Sequence, residues 1–312
     1  MEKLAVVAIG GNSLIKDNEH QSVEDQKKAV EETCVHLVDL VEQGYNLVIT
    51  HGNGPQVGFL LLRSEIAKKY LPIEPLDSCV ANTQGSLGYY IEQGLYNEFY
   101  RRGIKGTAST VITQVEVSQD DPAFQNPTKP IGPFYRKKET ENLRAQGWDI
   151  IEDAGRGWRR VVPSPVPRKI IELDAIRTLI EQGFVVIGVG GGGIPVIRDG
   201  NGCLKGVAAV IDKDLASSLL AQNLNAELLI ISTTVEKVAL YFGKPEQRDI
   251  DRMTVCEAER YLEKGHFAEG SMAPKIRASI SFIKNGGKEA VITTPFKLKD
   301  ALKGSTGTHI VA

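Results

Sequence analysis

The sequence has only four cysteines, Cys34, Cys79, Cys203 and Cys256, and none stands in a C-x-x-C pair or beside a histidine. That spacing argues against a zinc or disulfide framework and points to a reduced, cytoplasmic protein. No apolar run approaches the length of about 18 residues that a spanning helix requires, so no membrane segment is expected. The apolar stretch in MEKLAVVAIGG ends at a glycine pair and is too short for the core of a signal peptide. Charge of neither sign dominates, with 37 Lys plus Arg against 39 Asp plus Glu and no block of like charge. This balance argues against duplex nucleic acid or an anionic membrane as the main partner. What remains is an ordinary soluble composition, 42% apolar and 24% charged, on a chain of 312 residues that can bury a large core.

One pattern recurs along the chain: a helical segment, a glycine, then a β-rich run. It occurs in VEQGYNLVIT, YRRGIKGTAST, LIEQGFVVIG and FIKNGGKEAVIT. Glycine takes the left-handed position that ends a helix, and the Val/Ile run after it reads as a strand buried on both faces. Before Gly44, Val30, Cys34, Leu37, Val38 and Val41 form an apolar stripe at helical spacing. Alternation of this kind implies βαβ units and a mainly parallel sheet covered on both sides. The stretch from about 117 to 168 breaks the rhythm with seven prolines, and within it WDIIEDAGRGWRRVV reads as two short strands joined by a glycine turn. It is expected to stand off the main sheet as a lid or binding element.

Three glycine clusters follow expected strands. VVAIGGNSL carries Gly10, Gly11 and Asn12; LVITHGNGPQVG carries Gly52, Asn53 and Gly54, with Pro55 suited to the first helical position. Backbone N–H groups at such strand-to-helix turns bind anions, and two of them on one sheet favour a phosphate site. The third cluster, VVIGVGGGGIPV, matches G-x-G-x-x-G at Gly188, Gly190 and Gly193, but Pro195 and a turn-like RDGNG follow where a dinucleotide fingerprint must open a helix. No Walker A motif is present.

Lysines complete the pattern. Lys213 sits in VIDKDLASSLLA between Asp212 and Asp214, at a junction where a strand should feed a helix. Lys275 sits in EGSMAPKIRASISFI near a helix start, and Lys129 lies between prolines in NPTKPIGPFY. Fixed ammonium groups together with anion-binding loops suit phosphoryl transfer, where catalysis is mostly positioning and charge stabilisation. Asp214 would hold lysines in place and keep them charged. Of the five histidines only His51 adjoins a candidate site, so no general base is evident. An acceptor that arrives already deprotonated, as a carboxylate-like oxygen does, fits that lack.

The ordered set AIGGNSL, THGNGPQVG, NPTKPIGPFY, GRGWRRVVPSP, GGGGIPV, VIDKDLASSLLA, FGKPEQ and GSMAPKIRA, closing with GSTGTHI, resembles the carbamate kinases, a branch of the amino acid kinase family. The resemblance covers nearly the whole chain. It implies an α/β fold, an open and mainly parallel αβα sandwich, forming one domain over 1–312 with a protruding subdomain at about 117–168. It further implies a homodimer and the reversible reaction of ATP with carbamate to give ADP and carbamoyl phosphate, with Mg2+ on the nucleotide and commonly run toward ATP in arginine or related fermentative catabolism. Carried over by position, Lys129, Lys213 and Lys275 would contact the transferring phosphoryl group with Asp214 organising them. Gly10, Gly11, Asn12, Gly52, Asn53 and Gly54 would cradle the carbamoyl phosphate end. The nucleotide would lie over about 207–312, beside Asp212, Val238, Tyr241, Pro245 and Met272. Two small departures from the usual pattern occur: Ser13 replaces a common alanine, and ALYFGKP replaces AINFGKP. A kinase of another small carboxylate and a silent sensor of nucleotide or acyl phosphate stay open. A larger acceptor would call for an arginine near Gly54, and Arg63, the nearest, lies about two turns along.

Overall fold

The computed structural model describes residues 3–10, 22–153 and 157–312. Its centre is an eight-stranded sheet in the order Arg252–Thr254, Thr308–Val311, Glu289–Thr293, Leu228–Ser232, Leu4–Ile9, Asn46–His51, Val185–Ile187, Ala108–Thr110. Six strands run parallel; Thr308–Val311 pairs antiparallel to Glu289–Thr293, and Arg252–Thr254 follows it in that reversed direction. In Leu4–Ile9 every residue is buried. Leu4, Val6 and Ala8 enter one apolar cluster, with Ala216, Leu220, Ile276 and Ile280 from the helices Lys213–Asn223 and Met272–Lys284. Ala5, Val7 and Ile9 enter a second, with Leu37 and Leu95 from the helices Val23–Glu42 and Leu76–Arg102. A strand that alternates between two apolar faces belongs inside a helix–sheet–helix sandwich, and the fold is that α/β arrangement.

The helix–glycine–strand pattern is realised at Gly44, Gly103, Gly183 and Gly286, all left-handed, with φ of 84°, 67°, 83° and 99°. After Gly193, however, the chain enters the strand Ile194–Arg198 with Pro195 inside it, and only the segment beyond is a turn, into Leu204–Gly206. No helix opens there, so the glycine run lacks the geometry of a dinucleotide loop.

The strands Gln114–Glu116 and Lys169–Ile170 pair antiparallel within a four-stranded sheet that also holds Ile194–Arg198 and Leu204–Gly206. Beyond them a separate antiparallel sheet is built from Lys129–Tyr135, Trp158–Val162 and Ile150–Glu152. This small sheet meets the helix Gly54–Ala67 at glycine on glycine: a Cβ on Gly58 would sit 1.9 Å from the Cα of Gly132. Position 58 therefore admits no side chain, and Gly132 opposite it is left-handed at φ 72°. The contact holds Lys129, the first residue of its strand, over the edge where the parallel strands end.

Candidate active site

Three helices begin around one cavity of about 290 Å³: Gly54–Ala67, Lys213–Asn223 and Met272–Lys284. Their opening residues Asn53, Gly54, Asp212, Lys213, Ser271 and Lys275 line it, with Gly10, Gly52 and, after the strand Leu228–Ser232, Thr233 and Thr234. Each helix start carries partial positive charge and unpaired N–H groups, so their convergence favours an anion. Side chains add to this. Among the described residues on the lining, Lys129, Arg159, Lys213 and Lys275 face two carboxylates, Asp212 and Asp214, an excess of positive charge.

The two aspartates of the D-K-D junction divide the lysines between them. Asp212 caps its helix, its Oδ1 accepting from the N–H groups of Asp214 and Leu215, while its Oδ2 accepts from Lys129 Nζ at 2.6 Å. Asp214 is 3% exposed and accepts from Lys213 Nζ on Oδ1 at 2.5 Å and from Lys275 Nζ on Oδ2 at 2.8 Å. Burial alone would push the Asp214 carboxyl up; the two ammonium groups outweigh it and hold the group well below the usual carboxylate range. Burial pushes the Lys213 ammonium down, Asp214 opposes that change, and the like charge of Lys275 adds to it. One buried carboxylate therefore clamps two ammonium groups from two different helices.

Of the residues expected at the site, Gly10, Gly52, Asn53, Gly54, Lys129, Asp212, Lys213, Asp214 and Lys275 all line this cavity. Gly11 and Asn12, like Ser13, lie outside the described residues. Of the expected nucleotide neighbours, Asp212 lines the cavity, whereas Val238, Tyr241, Pro245 and Met272 are absent from its lining. Val238 is fully buried in the core and its N–H donates to Thr308 Oγ1. Met272 packs against the same apolar cluster, and Pro245 lies exposed in the turn between the strands Val238–Leu240 and Arg248–Ile250. Tyr241, 47% exposed, has its ring edge-on to His266 at 4.7 Å and a left-handed φ of 55°, a conformation the usual asparagine adopts more easily than tyrosine.

Two features escaped sequence reasoning. Arg159 lines the cavity, its Nε donating to the Gly132 carbonyl oxygen at 3.1 Å and its Nη1 to Asp153 at 3.2 Å; the GRGWRRV motif held it, but nothing local told Arg159 from Arg160. His51 is fully buried behind the lining. Burial lowers its pKa to about 4, with Lys213 adding to the shift against a hydrogen bond to the Gly52 carbonyl, so it is a neutral imidazole.

A fold of this order with a lysine-lined anion cavity at the strand ends defines a phosphotransferase of the amino acid kinase type. The family profile matches residues 3–294, and the chain belongs to the amino acid kinase family. Within it, the chain is 53% identical to the carbamate kinase-like protein YahI of Escherichia coli (strain K12), over 100% of this chain and 99% of that protein. It is 47% identical to the carbamate kinase of Thermococcus kodakarensis, over 99% of each. The solved carbamate kinase from Giardia lamblia bound to AMP-PNP superposes with a TM-score of 0.91 at 42% identity, covering 99% of this chain and 98% of that one.

Proposed function

We propose that this chain is a carbamate kinase, catalysing ATP + carbamate ⇌ ADP + carbamoyl phosphate. The observation that carries the reading is the Asp214 clamp, two ammonium groups fixed on one buried carboxylate where three helices begin, in a chain whose full-length relatives include carbamate kinases. A carbamate oxygen attacks the γ-phosphorus as the bond to the bridging oxygen of ADP breaks. Charge then spreads over the equatorial oxygens, where Lys213, Lys275 and Lys129 stand to meet it. No proton moves, since carbamate arrives as an anion. Both carboxylates of the cavity are engaged by ammonium groups, which leaves neither to act as a base.

The Gly52–Gly54 turn, with Gly10, would seat the carbamoyl phosphate end. The nucleotide would extend over the C-terminal part of the chain past Thr233, Thr234 and Ser271, toward Tyr241 and Met272. Among the described residues no group of three or more His, Cys, Asp or Glu side chains converges. Mg2+ would come with the nucleotide and would neutralise part of the charge on its phosphates.

A small acceptor is supported by Arg63, which is exposed on its helix and absent from the lining. A silent sensor is disfavoured by the retention of Lys213, Asp214 and Lys275 together. Among the described residues no helix is long and apolar enough to cross a membrane. A cytoplasmic homodimer running toward ATP in fermentative catabolism completes the proposal, and light scattering tests the dimer. The deciding assay measures ATP formed from ADP and fresh carbamoyl phosphate with Mg2+, beside acetyl phosphate. Rapid ATP from carbamoyl phosphate and little from acetyl phosphate is expected; ATP from neither, with ADP still bound, would sink the reading.

A further inference from the structure

The four-glycine run Gly190–Gly193 reaches the anion cavity at Gly191 and follows directly on a strained residue. Val189, β-branched and fully buried, is left-handed with φ 52°, and Gly191, Gly192 and Gly193 follow at 67°, 93° and 91°. A β-branched residue in that region is an outlier that surrounding structure must impose. Here the surroundings are the two sides of the anion cavity. A Cβ on Gly190 would lie 2.4 Å from His51 Nε2, one on Gly191 2.2 Å from Asn53 Nδ2, and one on Gly192 2.4 Å from the Ile211 carbonyl oxygen. The first two contacts belong to the Gly52–Gly54 turn and its approach; the third belongs to the junction carrying Asp212, Lys213 and Asp214.

Buried polar groups pin the run from below. Val189 N–H donates to Thr113 Oγ1 at 3.0 Å, and Gln84 Nε2 donates to the carbonyl oxygens of Gly190 at 2.9 Å and Thr113 at 3.0 Å. Asn53 is fixed in turn, its Nδ2 donating to Thr83 Oγ1 at 2.8 Å. His51 donates from Nδ1 to the Gly52 carbonyl at 3.2 Å, and its Nε2, buried against Gly190, has no partner among the described residues. An unpartnered buried nitrogen is tolerated where the ring's shape is needed more than its hydrogen bond.

We propose that the Gly190–Gly193 run and His51 form a positioning device that sets the Gly52–Gly54 turn at a fixed distance from the Lys213–Asp214 junction. The run is a spacer of bare backbone: a side chain at Gly190, Gly191 or Gly192 would widen the gap between the groups that seat the acceptor and those that meet the phosphoryl charge. This rests on the reading of the turn as the carbamoyl phosphate seat.

The test uses Gly190→Ala, because Gly190 alone of the four is not left-handed and its added methyl meets side chains rather than backbone, the buried His51 ring at 2.4 Å and Gln84 Cγ at 3.1 Å. Its kcat/KM for carbamoyl phosphate should fall by about 10²-fold, the cost of roughly 1 Å of misplacement, while the KM for ADP holds within about twofold. Carbamoyl phosphate should cease to raise the variant's thermal midpoint while ADP still does. The double variant His51→Ala/Gly190→Ala, which gives the methyl the vacated ring space, should recover about tenfold of the loss. Should Gly190→Ala not fold, His51→Ala alone should show the same selective loss. Equal losses for both ligands, or no recovery in the double variant, would overturn the inference. A wild-type protein neither turned over nor stabilised by carbamoyl phosphate, yet stabilised by ADP, would overturn the functional reading and this inference with it.

Discussion

Replacing Asp214 by asparagine keeps the shape of the side chain and removes the charge that two ammonium groups share. In the folded protein Lys213 and Lys275 would then sit side by side, both nearly buried, with no counter-charge between them. Removing one partner of a buried ion pair costs about 3–5 kcal/mol, because the charge left behind stays desolvated. A chain of 312 residues unfolds with an entropy near 0.65 kcal/mol per degree, so the midpoint should drop by roughly 5–8 °C. Turnover should fall about 10²–10³-fold, as it does when one preorganised charge-stabilising group is lost. The sign of the pH dependence follows from the depressed carboxyl: its stabilisation is present above the ordinary value of 3.8 and is lost as pH falls through the lower folded value. The gap between wild type and variant should thus be full at neutral pH and begin to narrow only as pH falls below 3.8. Calorimetry from pH 3 to 8 with the ATP-forming assay reads all three effects. Asp214→Asn/Lys275→Met relieves the repulsion, so its midpoint should recover while activity stays low. A variant with unchanged midpoint and turnover at neutral pH would refute the clamp.

Other perturbations test neighbouring parts of the argument. Lys213→Ala should cut turnover about 10²–10³-fold with a smaller midpoint change than Asp214→Asn, since Asp214 keeps Lys275; full activity would remove Lys213 from the chemistry. His51 takes up its proton near pH 6.5 when unfolded but only at about 4 when folded, so its burial costs stability as pH falls through that window. The loss should amount to about 3 kcal/mol, and His51→Gln should flatten it; parallel wild-type and variant curves would contradict a neutral buried ring. Gly58→Ala drives a methyl into Gly132, and overpacking there should cost about 1–3 kcal/mol. Displacing Lys129 along with the small sheet, it should also lower turnover, which steady-state kinetics beside a melting curve will show.

Much of this was legible because it is local. Gly44, Gly103, Gly183 and Gly286 mark helix ends by a rule that operates within a few residues, and the Val/Ile runs after them identify a two-faced sheet. The D-K-D junction was readable as a charged strand-to-helix turn, although the split of labour was not. Asp212 is both the modest helix cap and the partner of Lys129, 83 positions away, and no local pattern states that pairing. His51 adjoins the glycine turn in sequence, and adjacency does not state that its ring is buried. Arg159 reached the cavity, and the small sheet found its seat, through Gly58 meeting Gly132. That contact between ordinary-looking glycines is set by tertiary packing alone.

The two ion-pair systems of the cavity differ in what can compete for them. Asp214 and its lysines are shut away from solvent, with side-chain exposures of 5%, 11% and 13%, whereas Lys129 is 32% exposed over Asp212. Dissolved salt screens exposed pairs far more than buried ones. The cavity is thus stiff on its sheet side and compliant on the side that overhangs it. An entering anion must win Lys129 away from Asp212, while Lys213 and Lys275 are held for it in advance. Ionic strength should accordingly act on capture more than on the transfer that follows.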